Sequence, residues 1–213
     1  MPRQDPNVLF FGNSVDASLR LSDLEQFREY LDGYLRTESE FMSSLHSDLE
    51  IDMVPLFAET FPPLLHSAII TSTVSLVELE VRGYCEAMRN SLGLALRVSE
   101  LSGALLDRFW RYCGKVIGLQ LDADRLRWAD LVGLFELRNC LVHVGGDLAE
   151  FQGASVVRAF AGRHGTPNLE GRSMAINSKT SVVALEIASV FLDEIFDLAL
   201  ARFPGQYLPR LGS

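Results

Sequence analysis

Apolar residues recur at three- and four-residue intervals along most of this chain, and that period predicts helices. Leu24, Phe27, Leu31, Tyr34, Phe41, Leu45 and Leu49 form one such stripe. Ser22 stands before it with Glu25 three residues on, a capping-box pattern, so a helix is expected from about Ser22 to Asp48. Pro55 and the pair Pro62–Pro63 punctuate the next stretch; a proline pair suits the first turn of a helix and not its interior. From there one long helix is expected to about Ser91, apolar nearly all round at its middle and so buried on most sides. A third is expected over Glu100–Gly118, with Leu105, Phe109, Tyr112 and Val116 on one face. A fourth starts at a cap supplied by Asp122 or Asp124 and ends at Gly145–Gly146. Residues 149–177 are Gly-rich with no helical period, which predicts an extended loop with a short hairpin between Val156 and Ile176. A last helix runs from Thr180 to Phe203, before Pro204.

The predicted fold is therefore all-α, a bundle of about five long helices with a loop or β-hairpin insertion before the last. The domain reading is an acidic helical segment over residues 1–50 packed on a helical core over 51–213. Charge draws the same line. Residues 1–60 hold 4 arginines against 12 acids, whereas the whole chain has 19 basic and 28 acidic side chains. The acidity thus belongs to the N-terminal segment, and the rest is near neutral, where a local basic cleft remains open. Cys85, Cys113 and Cys140 have no C-x-x-C spacing and apolar neighbours, so buried thiols in a reducing cytoplasm are expected. The N-terminus has no charged-then-apolar leader pattern, and no run approaches the ~20 apolar residues of a membrane span, which predicts a cytoplasmic protein with no membrane partner.

One stretch is unlike the rest. "FELRNCLVHVGGDL", Phe135–Leu148, places Arg138, Asn139 and His143 in an otherwise apolar run that stops at two glycines. Asn139 and His143, four apart, share a helix face, while Arg138 and His143 are offset by about 140°. Those two converge only if the helix ends or distorts there, or if a second chain supplies the partner. The glycines put His143 in the last turn, where the helix end favours a cation. An imidazole can move a proton to or from a hydroxyl, a guanidinium can grip a phosphate, and an amide can orient either. Together they supply what phosphodiester cleavage needs without a cofactor or metal.

These residues resemble the motif of the HEPN superfamily (higher eukaryotes and prokaryotes nucleotide-binding domains): Arg, four to six residues, then His, often with a polar residue after the Arg. Here it reads "RNCLVH". The spacing alone occurs by chance about once in a chain of this composition, and "RAFAGRH" places Arg158 and His164 at another allowed spacing, inside the Gly-rich stretch, where it is read as a decoy. Context favours the first match: the Asn, the apolar filling, the glycine stop, and an upstream "SLVE" at Ser75–Glu78 similar to a pattern in the family's second core helix. The resemblance covers about residues 60–203. It implies a homodimer whose two motifs face one shared cleft and cut RNA through its 2′-hydroxyl, in toxin–antitoxin, phage-defence or stress systems. It also implies His143 as acid/base, Arg138 as phosphate anchor, Asn139 as support, Glu78 as a weaker cleft contact, and an antitoxin or other protein as partner. Where some such toxins carry a Tyr two positions after the His, this chain has Gly145, so silencing by modification there is not expected.

The plain readings stand beside these. His143 can cap its own helix end, Arg138 can pair with Asp130 or Glu136, and Asn139 can bond a neighbouring helix. His46 and His66 read as surface and packing residues, and Trp110 and Trp128 as core or interface anchors before base-stacking platforms. "GKVIG" at Gly114–Gly118 lacks phosphate-loop spacing. The alternative function is a non-catalytic HEPN-like module binding RNA, a nucleotide or a protein, with the acidic first helix as docking element. A purely structural helical scaffold comes third.

Overall fold

The computed structural model describes residues 5–44 and 53–204. It confirms an all-α fold: six α-helices among the described residues, with one two-stranded antiparallel hairpin just before the last. They are α1 (Pro6–Ser44), α2 (Phe61–Leu92), α3 (Leu105–Arg111), α4 (Trp128–Val144), α5 (Ala154–His164) and α6 (Ser178–Arg202), with β1 (Asn168–Glu170) and β2 (Ser173–Ala175) between the last two. The hairpin pairs Leu169 with Met174 and lies inside the span predicted for it.

Several elements differ from expectation. Helix α1 starts at Pro6, not Ser22. Asp5 accepts a hydrogen bond from the Asn7 amide at 2.9 Å and Pro6 fills the first helical position, so Asp-Pro is the true start signal. Ser22 is mid-helix and its hydroxyl accepts from Gln26; Phe10, Ala17 and Leu21 extend the buried face through the supposed cap. The expected end at Asp48 and the domain boundary at residue 50 lie outside the described residues. In the fourth helix Asp122 Oδ1 does accept from the Asp124 and Arg125 amides at 2.9 and 3.2 Å. It caps only a single turn, however, because Arg127 takes a left-handed conformation (φ 47°) and α4 proper begins at Trp128.

The third difference is α5. Residues 154–164, a loop by the sequence pattern, are a helix, with Val157, Phe160 and Ala161 buried, ended by left-handed Gly165. Eleven residues with one narrow apolar face, flanked by Gly153 and Gly165, give too short a period to register. The third predicted helix is likewise shorter, α3 running over into a π turn at Tyr112–Ile117 that ends at left-handed Gly118. "GKVIG" is thus the end of a helix. A second π turn, Leu56–Thr60, leads into α2, whose Pro62 and Pro63 occupy the first turn as expected.

The residues fall into two compact units, to both of which α1, α2 and α6 contribute. One takes the chain up to Arg20, Ser75–Trp128 and the residues from Ser189 on. Its core is aromatic: Tyr84 meets Phe10, Phe109 and Phe196 at 5.6–6.1 Å, and Phe109 meets Phe191 edge-on at 5.7 Å. The other takes Leu21–Val74 and Ala129–Ala188, with Ile69, Ile70, Val74, Leu131, Leu134, Leu137, Phe160, Ala184 and Ile187 buried. In it α4 lies hard against α5: a Cβ at Gly133 would come within 2.6 Å of the Phe160 ring, so only glycine admits this approach. Asn177 caps α6 through the Thr180 amide at 3.1 Å.

The segment Leu56–Leu92 is long and apolar enough to cross a membrane by length and composition, with a window of mean hydropathy 1.4; 44% of that window is buried within the protein. The three cysteines are free thiols and all buried.

Candidate functional site

Arg138, Asn139 and His143 sit on the last two turns of α4, as the sequence indicates. Gly145 and Gly146 both take left-handed φ (60° and 85°), and the Gly146 amide closes back on the Cys140 carbonyl at 3.1 Å. That closure ends the helix just after His143 and leaves the imidazole exposed. The ring makes no hydrogen bond or ion pair among the described residues, and neither does the half-buried Asn139 amide. At this helix end the Gly146 and Asp147 amides, not the imidazole, supply the hydrogen bonds to the Cys140 and Val144 carbonyls.

Arg138 is half-buried, its guanidinium carbon 6.0 Å from the centre of the Phe135 ring one turn back. A cation at that distance from a ring face gains about 0.5–1 kcal/mol and has its long stem held along the helix. Asp130, offered in the sequence as an Arg138 partner, accepts from Arg163 Nε at 2.8 Å and lies 3.0 Å from His164 Nε2. Helix α4 is regular through Val144, so no local distortion swings Arg138 and His143 together.

Glu78 lies on α2 in the other unit, half-buried, with Arg82 one turn on at 3.8 Å. The second Arg–His spacing falls on α5. Its His164 packs its ring against Phe160 at 4.7 Å and faces Asp130, so it is engaged inside its unit.

Two constellations are not legible in the sequence. His66 is buried, with Nδ1 3.1 Å from the Ser181 hydroxyl and Nε2 3.4 Å from Asp32 Oδ1. With its proton on Nε2 the neutral ring donates to Asp32 and accepts from Ser181, using both nitrogens. Burial lowers its pKa from the usual 6.5, Asp32 pulls it back up, and Arg28 adds to the lowering. Ser181 is fully buried, and its hydroxyl also lies 2.8 Å from the Ser178 carbonyl, able to give its single proton to that oxygen or to His66 but not to both, so this Ser–His–Asp trio ties α1, α2 and α6 together and offers no open nucleophile. The second constellation is a cavity of about 380 Å³ in the other unit, lined by Asp107, Trp110, Arg111 and Trp128. Among the described residues no three His, Cys, Asp or Glu side chains group as metal ligands would.

Comparison with known protein families, curated proteins and solved structures finds no match to this chain.

Proposed function

We propose that the chain is a metal-independent endoribonuclease of HEPN type, working as a homodimer in the cytoplasm, in a toxin–antitoxin, phage-defence or stress system. The observation that carries the reading is the unengaged, exposed imidazole of His143 in the last turn of α4, with Asn139 on its face and Arg138 just behind. A histidine kept for packing alone would be buried or paired, as His66 and His164 are.

In this reading His143 takes the proton of a ribose 2′-hydroxyl as that oxygen attacks the adjacent phosphorus. The O2′–P bond forms and the P–O5′ bond breaks, leaving a 2′,3′-cyclic phosphate. The leaving 5′-oxygen takes its proton from the imidazole of the second copy. Arg138 holds the phosphate and offsets the charge that develops on its free oxygens. Each motif brings one imidazole, which is why two copies are required.

The test is cleavage of a mixed RNA substrate in EDTA by wild type and His143→Ala side by side. Cleavage by wild type alone, leaving cyclic phosphate ends, is the expected result. Equal cleavage by the variant would sink the assignment.

A second reading, a non-catalytic module that binds RNA, a nucleotide or a protein, draws on α1. Phe27, Tyr30, Tyr34 and Phe41 are all exposed on it, with Tyr30 at 73%. Asp23, Glu29 and Glu40 are among its exposed charges. Aromatic side chains left in water beside carboxylates suit the apolar and basic face of a partner protein.

A further inference from the structure

The cavity between Trp110 and Trp128 has features that the cleavage reading does not use. Its four lining residues are two indoles, one guanidinium and one carboxylate. The indole rings lie 4.6 Å apart, inclined at 49°, and each is only half-buried. Trp128 is braced from behind by Phe109 and Phe191, ring centres 6.2 and 6.4 Å away, so the aromatic wall is rigid. The Arg111 guanidinium is held flat by two backbone carbonyls: Nε donates to Asp107 O at 3.2 Å and Nη2 to Ser102 O. Nη1 is left without a partner among the described residues, and so is the exposed Asp107 carboxylate.

Both walls are reached through unusual backbone. Arg111 is the last α-helical residue before the π turn at Tyr112–Ile117, and Trp128 follows left-handed Arg127. Departures of this kind cost stability and cluster at functional sites.

We infer that this cavity binds a guanine base. Flat π surfaces favour a planar ring. The hydrogen-bonding edge selects which ring. A carboxylate offers two acceptors side by side, and guanine presents two donors side by side, N1–H and the N2 amino group. The adjoining O6 is an acceptor, matched by Arg111 Nη1. Adenine and cytosine each put a ring-nitrogen lone pair where the carboxylate needs a donor, so both are repelled. The inference stands independently of RNA cleavage.

The chain has only two tryptophans, both in this cavity, so its intrinsic fluorescence reports on the site alone. Full-length protein is titrated with GMP and, separately, AMP and CMP up to about 10 mM, a range that covers single-base affinities. Excitation is on the red edge of the indole band, and each reading is corrected for absorption by the nucleotide with free tryptophan titrated in parallel. Saturable quenching by GMP is expected, with AMP and CMP at least about tenfold weaker, and a loss of about tenfold in Asp107→Asn, whose exposed position leaves the fold intact by circular dichroism. No saturable quenching, equal quenching by all three nucleotides, or an unchanged Asp107→Asn overturns the proposal. A short oligoribonucleotide with one G that binds more tightly than GMP identifies RNA as the source of the base; equal affinity identifies the free nucleotide. His143→Ala keeps the quenching. Quenching without cleavage therefore retains this site while the ribonuclease reading fails, and cleavage without quenching does the reverse.

Discussion

The chain carries the Arg–His spacing twice in the same unit, on α4 and on α5, and the two sites differ in everything but spacing. His143 ends its helix exposed and unengaged, with a pair of left-handed glycines turning the chain away. His164 also ends its helix, and left-handed Gly165 follows it too. Yet its ring packs against Phe160 at 4.7 Å, inclined at 47°, and its Nε2 faces Asp130, which Arg163 shares. Two motifs that a pattern search would score alike thus hold one exposed imidazole and one packing element. Availability, set by what surrounds the ring, separates them.

The largest effect expected from this contrast is on catalysis. His143→Ala should lose RNA cleavage by a factor of about 100 or more, the usual share of a general acid or base. His164→Ala should keep cleavage within a few-fold while lowering the melting temperature. Rates of both variants on one substrate decide the matter. Loss of activity in His164→Ala at unchanged stability would move the site to α5.

The next effect is on the packing that makes α5 a structural element. Gly133→Ala would push a methyl into the Phe160 ring at 2.6 Å, and that ring is fully buried. Overpacking of this kind costs about 1–3 kcal/mol, partly offset by roughly 1 kcal/mol of helix propensity gained. A net loss of about 1–2 kcal/mol is expected by urea denaturation. Asp130→Asn, which weakens the tie to Arg163 and His164, should cost about 1 kcal/mol. Neither substitution should alter the catalytic rate of the protein that remains folded.

How much of this is readable in the sequence depends on range. Helix type and the end of α4 are local properties: apolar period, and a Gly pair that alone takes positive φ cheaply. The Asp5–Pro6 start of α1 is equally local and is masked by a better-looking capping box at Ser22. Helix α5 escapes the pattern because its stability is tertiary: Val157, Phe160 and Ala161 face buried surface that only the fold supplies. Engagement of His164 by Asp130, 34 residues away in sequence, and of His66 by Asp32 and Ser181 cannot be seen in any spacing rule. The sequence does place Asp107, Trp110 and Arg111 on successive turns of α3, but Trp128 joins them only through the turn at Arg127.

The third described imidazole extends the series and gives its finest test. His66 is more deeply engaged than His164, held neutral between Ser181 and Asp32 with Arg28 nearby. Burial makes its folded pKa lower than the 6.5 of the unfolded chain. Between those two values the unfolded state binds more protons than the folded one, so stability must rise with pH there. The contribution is complete above pH 6.5 and is lost progressively as pH falls from 6.5 through the folded value. Melting temperatures measured from pH 8 down to about 5.5 should therefore decline for wild type. His66→Gln, less stable at pH 8, should show a flatter profile, so that the two curves converge on acidification. Curves that stay parallel would mean no net pKa shift on folding, and curves that separate on acidification would mean that Asp32 keeps the imidazole charged in the folded protein. His66 would then be an ion-pair partner, and the grading of the three rings by burial would fail at its most buried member.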